Sequence, residues 1–244
     1  MYRLLGLSLS AVIMLATAGQ SRADDADVQK IVDKAIKAKG GEANLTKYKA
    51  ATWKGKGTFY GMGDGVPYTG EWYIQMPGQF KMDIGGAFVL VVNGDQGWAV
   101  EGGTPRELTK DELAEQKENM YAEWVIHHLP LKQQGFTLTA AGEENVGGRA
   151  AVGVKVAHAG HRDVALYFDK ETGLASKAAF KVKAREQGDK EVLQEIVFSE
   201  YKDVGGMKMA SKEVIKRDGK NFVDGESFDV KLVEKLDDKV FSKP

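Results

Sequence analysis

Residues 68–76 read Tyr68-Thr69-Gly70-Glu71-Trp72-Tyr73-Ile74-Gln75-Met76. Tyr68, Gly70, Trp72, Ile74 and Met76 alternate with Thr69, Glu71, Tyr73 and Gln75. A period of two is the signature of a β-strand with one dry face and one wet face. The same grammar extends outward in both directions. Upstream, Ala51 to Tyr60 carries Trp53 and Phe59 among alternating Lys and Gly, and the loop Gly61-Met62-Gly63-Asp64-Gly65 turns the chain. Downstream, Phe80, Met82 and Ile84 repeat the alternation after Pro77-Gly78. Ala87 to Val92 is apolar at every position, which predicts a strand covered on both faces. Asn93-Gly94-Asp95 is turn chemistry leading into Gly97-Trp98-Ala99-Val100.

Two amphipathic helices punctuate the strands. Val28, Ile31, Val32, Ala35 and Ile36 form one apolar stripe at helical spacing, and Gly40-Gly41 stops it in the manner of a glycine C-cap. Leu45, within a short turn from Glu42 to Tyr48, joins the same core. Thr109-Lys110-Asp111-Glu112 is a capping box. It opens a second helix whose face carries Leu113, Met120, Tyr121, Trp124 and Val125, and which ends before Pro130. Strands then resume to the C-terminus, mostly through short turns such as Gly147-Gly148, Gln187-Gly188-Asp189 and Asp218-Gly219. Asp237-Asp238 caps a last helical turn that brings Val240 and Phe241 onto the fold. The expected class is mainly β (α+β), with about ten to eleven antiparallel strands curved into a half-barrel. The amphipathic helices cover its concave face.

The first 23 residues read as a cleavable export signal. Arg3 supplies the positive region, Leu4 to Ala18 the apolar region, and Ser21-Arg22-Ala23 the small residues of a cleavage site after Ala23. Residues 24–244 then form a single domain, in the periplasm or secreted. With 34 basic and 35 acidic residues the whole chain stands at −1, and losing Arg3 and Arg22 with the leader moves that to −3. Such a balance argues against nucleic acid as a partner. The chain has no Cys, so it uses neither disulfides nor thiolate metal ligands, and no lipid anchor can be attached to a cysteine.

Catalytic signatures are missing. No G-x-S-x-G elbow, no G-x-x-x-x-G-K-[ST] loop and no H-E-x-x-H pair occurs. His127 and His128 are adjacent, so on a helix they point about 100° apart, and His158 and His161 flank a turn. No metal site, cofactor or catalytic residue is expected, and the protein reads as a non-enzyme. What the first half of the sequence has in excess is bulky apolar side chains. Trp53, Phe59, Trp72, Ile74, Met76, Phe80, Met82, Trp98, Met120 and Trp124 are the candidate lining of a hydrophobic cavity. Methionine adapts its shape to a ligand, and aromatic rings offer broad apolar faces.

Several segments, in order, carry a family resemblance. They are Ile31-Val32 through Gly40-Gly41; Trp53-Lys54-Gly55-Lys56-Gly57; Asn93-Gly94-Asp95-Gln96-Gly97-Trp98; Leu166-Tyr167-Phe168-Asp169-Lys170-Glu171-Thr172-Gly173-Leu174; Tyr201-Lys202-Asp203-Val204-Gly205-Gly206-Met207-Lys208-Met209; and Leu236-Asp237-Asp238-Lys239-Val240-Phe241. Together they resemble the LolA/LolB-like periplasmic lipoprotein carriers and their outer-membrane lipoprotein-sorting relatives. The resemblance implies a helix-lidded antiparallel half-barrel that takes lipid or the acyl chains of a lipoprotein, in transient contact with membrane-bound donor or acceptor proteins. An alternative on the same fold is a sensor or interaction module that holds a protein partner. The carriers also have an early arginine that gates the lid. This chain has no Arg between residues 24 and 105.

Overall fold

The computed structural model describes residues 25–244; the expected export signal lies outside them. Thirteen strands form one antiparallel sheet, which curves without closing. They are β1 (Ala50–Phe59), β2 (Val66–Gln75), β3 (Gln79–Ile84), β4 (Phe88–Asn93), β5 (Gln96–Glu101), β6 (Thr104–Glu107), β7 (Phe136–Val146), β8 (Arg149–His158), β9 (Val164–Asp169), β10 (Ala175–Ala184), β11 (Lys190–Val204), β12 (Met207–Arg217) and β13 (Lys220–Val233). The count exceeds the expected ten to eleven. One strand without an advance signal is β6, whose Thr104-Pro105-Arg106-Glu107 has no apolar alternation.

Strand order explains the shape. It runs β6-β5-β4-β3-β2-β1-β13-β12-β11-β10-β9-β8-β7, so two hairpin-linked meanders meet where the first strand pairs with the last. Phe59 lies opposite Val223 and Ala50 opposite Val233 across that seam. The register slips between Thr52 and Lys54, and Asp229 on the partner strand has a φ of 52°. Such bulges bend strands and increase their twist.

Strands β6 and β7 are the two edges, so the segment joining them must cross the whole sheet. It does so as α3 (Lys110–Ile126). Its capping box forms as expected: the Glu112 N–H donates to Thr109 Oγ1 at 3.3 Å, and the Thr109 N–H donates to Glu112 Oε2 at 2.9 Å. Arg106 grips the same carboxylate with two 2.8 Å bonds. The guanidinium and the capping amide together hold Glu112 down to about 2. Farther along, Glu115 takes two 2.8 Å bonds from Arg162 and one from the Lys183 N–H, which ties the helix to the second meander. Met120, Tyr121, Ala122, Val125 and Ile126 are buried against the sheet.

Helix α1 (Asp25–Lys39) buries the expected stripe, with Val32 and Ala35 fully inaccessible. Its end is a Schellman motif: Gly41 N–H donates to Ile36 O at 2.8 Å and Gly40 N–H to Lys37 O at 3.2 Å. Gly40 has φ 136°, and a Cβ there would lie 2.5 Å from the Gly206 carbonyl oxygen. Glycine therefore lets the helix end sit directly on the β11–β12 turn. The short α2 (Glu42–Lys47) adds Leu45 to the core.

The main core lies between these helices and β7–β12, around Phe168, Leu166, Val154 and Val125. A smaller one occupies the outer face. There Val89, Val91, Trp98 and Val100 are covered by Phe241, fully buried on a 3-10 turn, Asp238–Phe241. Asp237 caps that turn by accepting from the Lys239 N–H at 2.9 Å. The apolar run of β4 thus has a cover on each side, as its sequence requires.

Candidate ligand-binding site

Where β1, β2 and β13 meet, the inner face carries aromatic rings on bare backbone. A Cβ at Gly55 would lie 2.6 Å from the Trp72 ring, and Cβ atoms at Gly57 and Gly225 would lie 2.9 and 3.0 Å from the Tyr68 hydroxyl oxygen. Glycine inside a strand usually marks such a close approach. Trp53 stands directly across the strand pair from Trp72. Their rings are stacked, 6.1 Å apart and 9° from parallel. Phe59 meets Phe222 edge to face at 5.1 Å.

Around these rings the inner face is not filled. A cavity of about 680 Å³ is walled by Trp53, Phe59, Tyr68, Trp72, Met82, Ile84, Phe88, Ile215, Phe222 and Val223. Met62 and Val66, two of the few strongly exposed apolar side chains, border it at the β1–β2 turn. Volumes of about 300–1,000 Å³ are typical of small-molecule sites.

The ten candidate residues divide among several places. Trp53, Phe59, Trp72 and Met82 line the cavity. Ile74 and Met76 are packed in a core patch with Ala51, and Phe80 and Trp124 lean against it. Met120 is buried on α3. Trp98 lies on the outer face under Phe241, because it pairs with Val91 rather than with a residue of the inner set. Residues of the late strands, Ile215, Phe222 and Val223, complete the wall. Sequence reasoning did not single them out, because they reach the site only through the β1–β13 seam. The strand glycines Gly55, Gly57 and Gly70 were the available signal.

A second, smaller chamber of about 120 Å³, with a mainly apolar wall, adjoins the cavity, and the two share Trp53, Glu213 and Ser227. Lys39 from α1, Glu123 from α3, His127 just past the end of α3, Tyr201 from β11 and Glu213 from β12 face it. Lys39 is 6% exposed. Among the described residues no carboxylate oxygen lies within ion-pair distance of its ammonium, and no side-chain hydrogen bond links Lys39, Glu123 and Glu213. Burial pushes Glu123 up to about 7, with the Glu213 charge adding to the push and Lys39 opposing it. Burial alone raises Glu213. It also lowers Lys39 to about 8, against the opposing pull of Glu123, and His127 to about 3. Tyr201 already donates its hydroxyl proton to the Ala175 carbonyl at 2.7 Å.

The adjacent histidines behave differently from a helical pair. The helix stops at Ile126, and His128, at φ 65°, turns into the core with its ring edge-on to Phe168. Among the described residues no group of three His, Asp or Glu is arranged to hold a metal ion.

The chain is thus a helix-lidded, open antiparallel half-barrel with an apolar inner cavity. Several solved structures share this fold at low sequence identity. A LolA superfamily protein from Nitrosomonas europaea superposes with a TM-score of 0.57 at 12% identity, over 88% of this chain and 97% of that one. A DUF1329 family protein from Desulfovibrio piger gives 0.58 at 12% identity, with the same coverage. An outer membrane lipoprotein-sorting protein domain from Vibrio parahaemolyticus gives 0.56 at 9% identity, again over 88% and 97%. No protein-family model and no curated protein sequence matches the chain.

Proposed function

We propose that this is an exported binding or carrier protein that holds the hydrocarbon of a lipid-like ligand, or of an acylated lipoprotein, in the inner cavity. The observation that carries the reading is the 680 Å³ space between stacked Trp53 and Trp72 and the late-strand residues Ile215 and Phe222. Supporting it are the export-type leader and the fold shared with a LolA superfamily protein. Among the described residues no helix is long and apolar enough to cross a membrane. An alkyl chain gains about 0.8 kcal/mol for each methylene it buries. Ten methylenes would give roughly 8 kcal/mol before the cost of immobilising the chain is subtracted. The site needs no fixed polar pattern along the hydrocarbon, which suits a carrier that accepts one chain and releases it.

The test is displacement. A hydrophobic fluorescent dye should bind the mature protein with one site per chain, and long-chain alkyl compounds should compete it off. A dye that fails to bind, or that alkyl compounds cannot displace, would overturn the reading.

A further inference from the structure

We propose that the inner cavity takes a single-chain amphiphile with a cationic head, an alkylammonium group held against the rings of Trp53, Tyr68 and Trp72 and the carboxylate of Glu213. The inference rests on the cavity holding hydrocarbon, and it adds the charge of the head group.

Charge on the cavity wall is one-sided. Among the described residues no Lys, Arg or His lines it, and its two charged residues are both glutamates, Glu213 from β12 and Glu226 from β13. Glu226 is answered from outside the cavity by Lys56 at 3.3 Å. Arg217, whose guanidinium lies over the Phe222 ring 3.6 Å from its centre, is already bonded to Glu186 at 2.7 Å and to Gln194 at 3.0 Å. Glu213 has no such answer: among the described residues its carboxylate makes no ion pair and accepts no hydrogen bond. The smaller chamber behind it adds Lys39 and Glu123, one charge of each sign, so the surplus stays on Glu213. An ionised carboxylate in an apolar wall is costly until a counter-charge reaches it.

The rings stand where that counter-charge would sit. Trp53 and Trp72 are parallel at 6.1 Å, and Tyr68 stands at 66° to Trp72, also at 6.1 Å, so three ring systems wall one corner of the cavity. Bare backbone brings the carboxylate to the same corner. A Cβ on Gly225, which pairs with Glu213 across β12 and β13, would lie 3.0 Å from the Tyr68 hydroxyl oxygen and 3.4 Å from Glu213 Oε1. Aromatic faces attract cations through the ring quadrupole, indole most strongly, and aromatic cages hold quaternary ammonium groups this way. An ammonium head therefore meets rings and a carboxylate together, while a carboxylate head meets Glu213 and no cation on the wall. The tail then runs outward over Met82, Ile84, Ile215 and Phe222 toward the exposed Met62.

The experiment compares dodecyltrimethylammonium, dodecanol and dodecanoate, each below its micelle concentration, by displacement of an uncharged hydrophobic dye from residues 24–244 at pH 8. The ammonium compound should bind at least tenfold more tightly than dodecanol, and dodecanoate should bind most weakly. Glu213→Gln should abolish the margin of the cation over the alcohol. Glu143→Gln, which removes an equal charge from the edge strand β7, should leave that margin in place. Equal binding of cation and alcohol, preference for the acid, a margin that survives Glu213→Gln, or one that Glu143→Gln abolishes as well would overturn the head-group assignment while leaving the hydrocarbon site standing. Failure of all three to bind would sink the hydrocarbon site and the assignment with it. If Glu213→Gln does not fold, the order of the three ligands on the unmodified protein and on Glu143→Gln decides alone: no margin of cation over alcohol in either contradicts the proposal.

Discussion

Trp53 and Trp72 face each other across the β1–β2 pair, with ring planes 9° apart and centroids separated by 6.1 Å. Gly55, two residues along from Trp53, leaves the backbone bare beneath the Trp72 ring. The wide apolar wall of the cavity depends on that missing side chain. Gly55→Leu should drive the Trp72 ring into the cavity and reduce hydrophobic-dye affinity at least tenfold, with the chain still folded by circular dichroism. Trp72→Asp should weaken the dye similarly by placing a charge on the wall. Unchanged dye affinity in both variants would mean that the ligand sits elsewhere.

Phe241 should matter for stability and not for binding. It is fully buried against Val91 and Trp98 on the outer face, on the far side of the sheet from the cavity. Phe241→Ala should cost about 3–5 kcal/mol, the usual range for a buried aromatic truncated to alanine, as read from urea unfolding. Dye affinity of the remaining folded protein should not change.

Acid sensitivity should trace to Asp169. Its carboxylate is 7% exposed as a residue, is paired with Arg149, and accepts from the Thr172 N–H and hydroxyl at 2.7 and 2.8 Å. The Arg149 guanidinium and the Thr172 donors hold it far below the usual carboxylate range. A carboxylate depressed on folding stabilises the native state above its unfolded pKa, and the gain is lost as pH falls through that value toward the folded one. Asp169→Asn should therefore lower stability at pH 7 by about 2 kcal/mol and flatten the decline in stability between about pH 4 and pH 2.

Glu213 should show the opposite sign. Burial raises it above 4.5, so the empty protein loses stability as pH rises through and beyond that value. Glu213→Gln removes the charge and keeps the shape. In ligand-free protein the variant should melt at a higher temperature than the parent at pH 8, and the two should converge at pH 5. A parent more stable than the variant at pH 8 would mean that Glu213 has a charge partner.

Much of the architecture was legible in particular residues. The stripe ending in Gly40-Gly41, the Thr109–Glu112 box, the doubly apolar Ala87–Val92 run and the Asp237 cap are local signals. Each local element formed where its chemistry required it. What the sequence withheld was non-local. Alternation shows that Trp98 and Val100 share a face, but not which face is inside when both faces of β4 are apolar; the covering Phe241 settles that. Ile215, Phe222 and Val223 join Trp53 and Phe59 only because the first strand pairs with the last. Lys39 reads as an ordinary charge at a helix end. Its burial follows from the Schellman turn docking on Gly206, a contact between residues far apart in the chain.

The central claim is that the inner cavity carries hydrocarbon. Native mass spectrometry of residues 24–244, purified without detergent, measures this directly. A mass excess that dissociates as one alkyl-chain lipid per protein, and that diminishes in Gly55→Leu, is the expected result. Bare protein that also fails to take up added dodecanoate or dodecanol, or a single stoichiometric exported protein partner with no lipid, would contradict it.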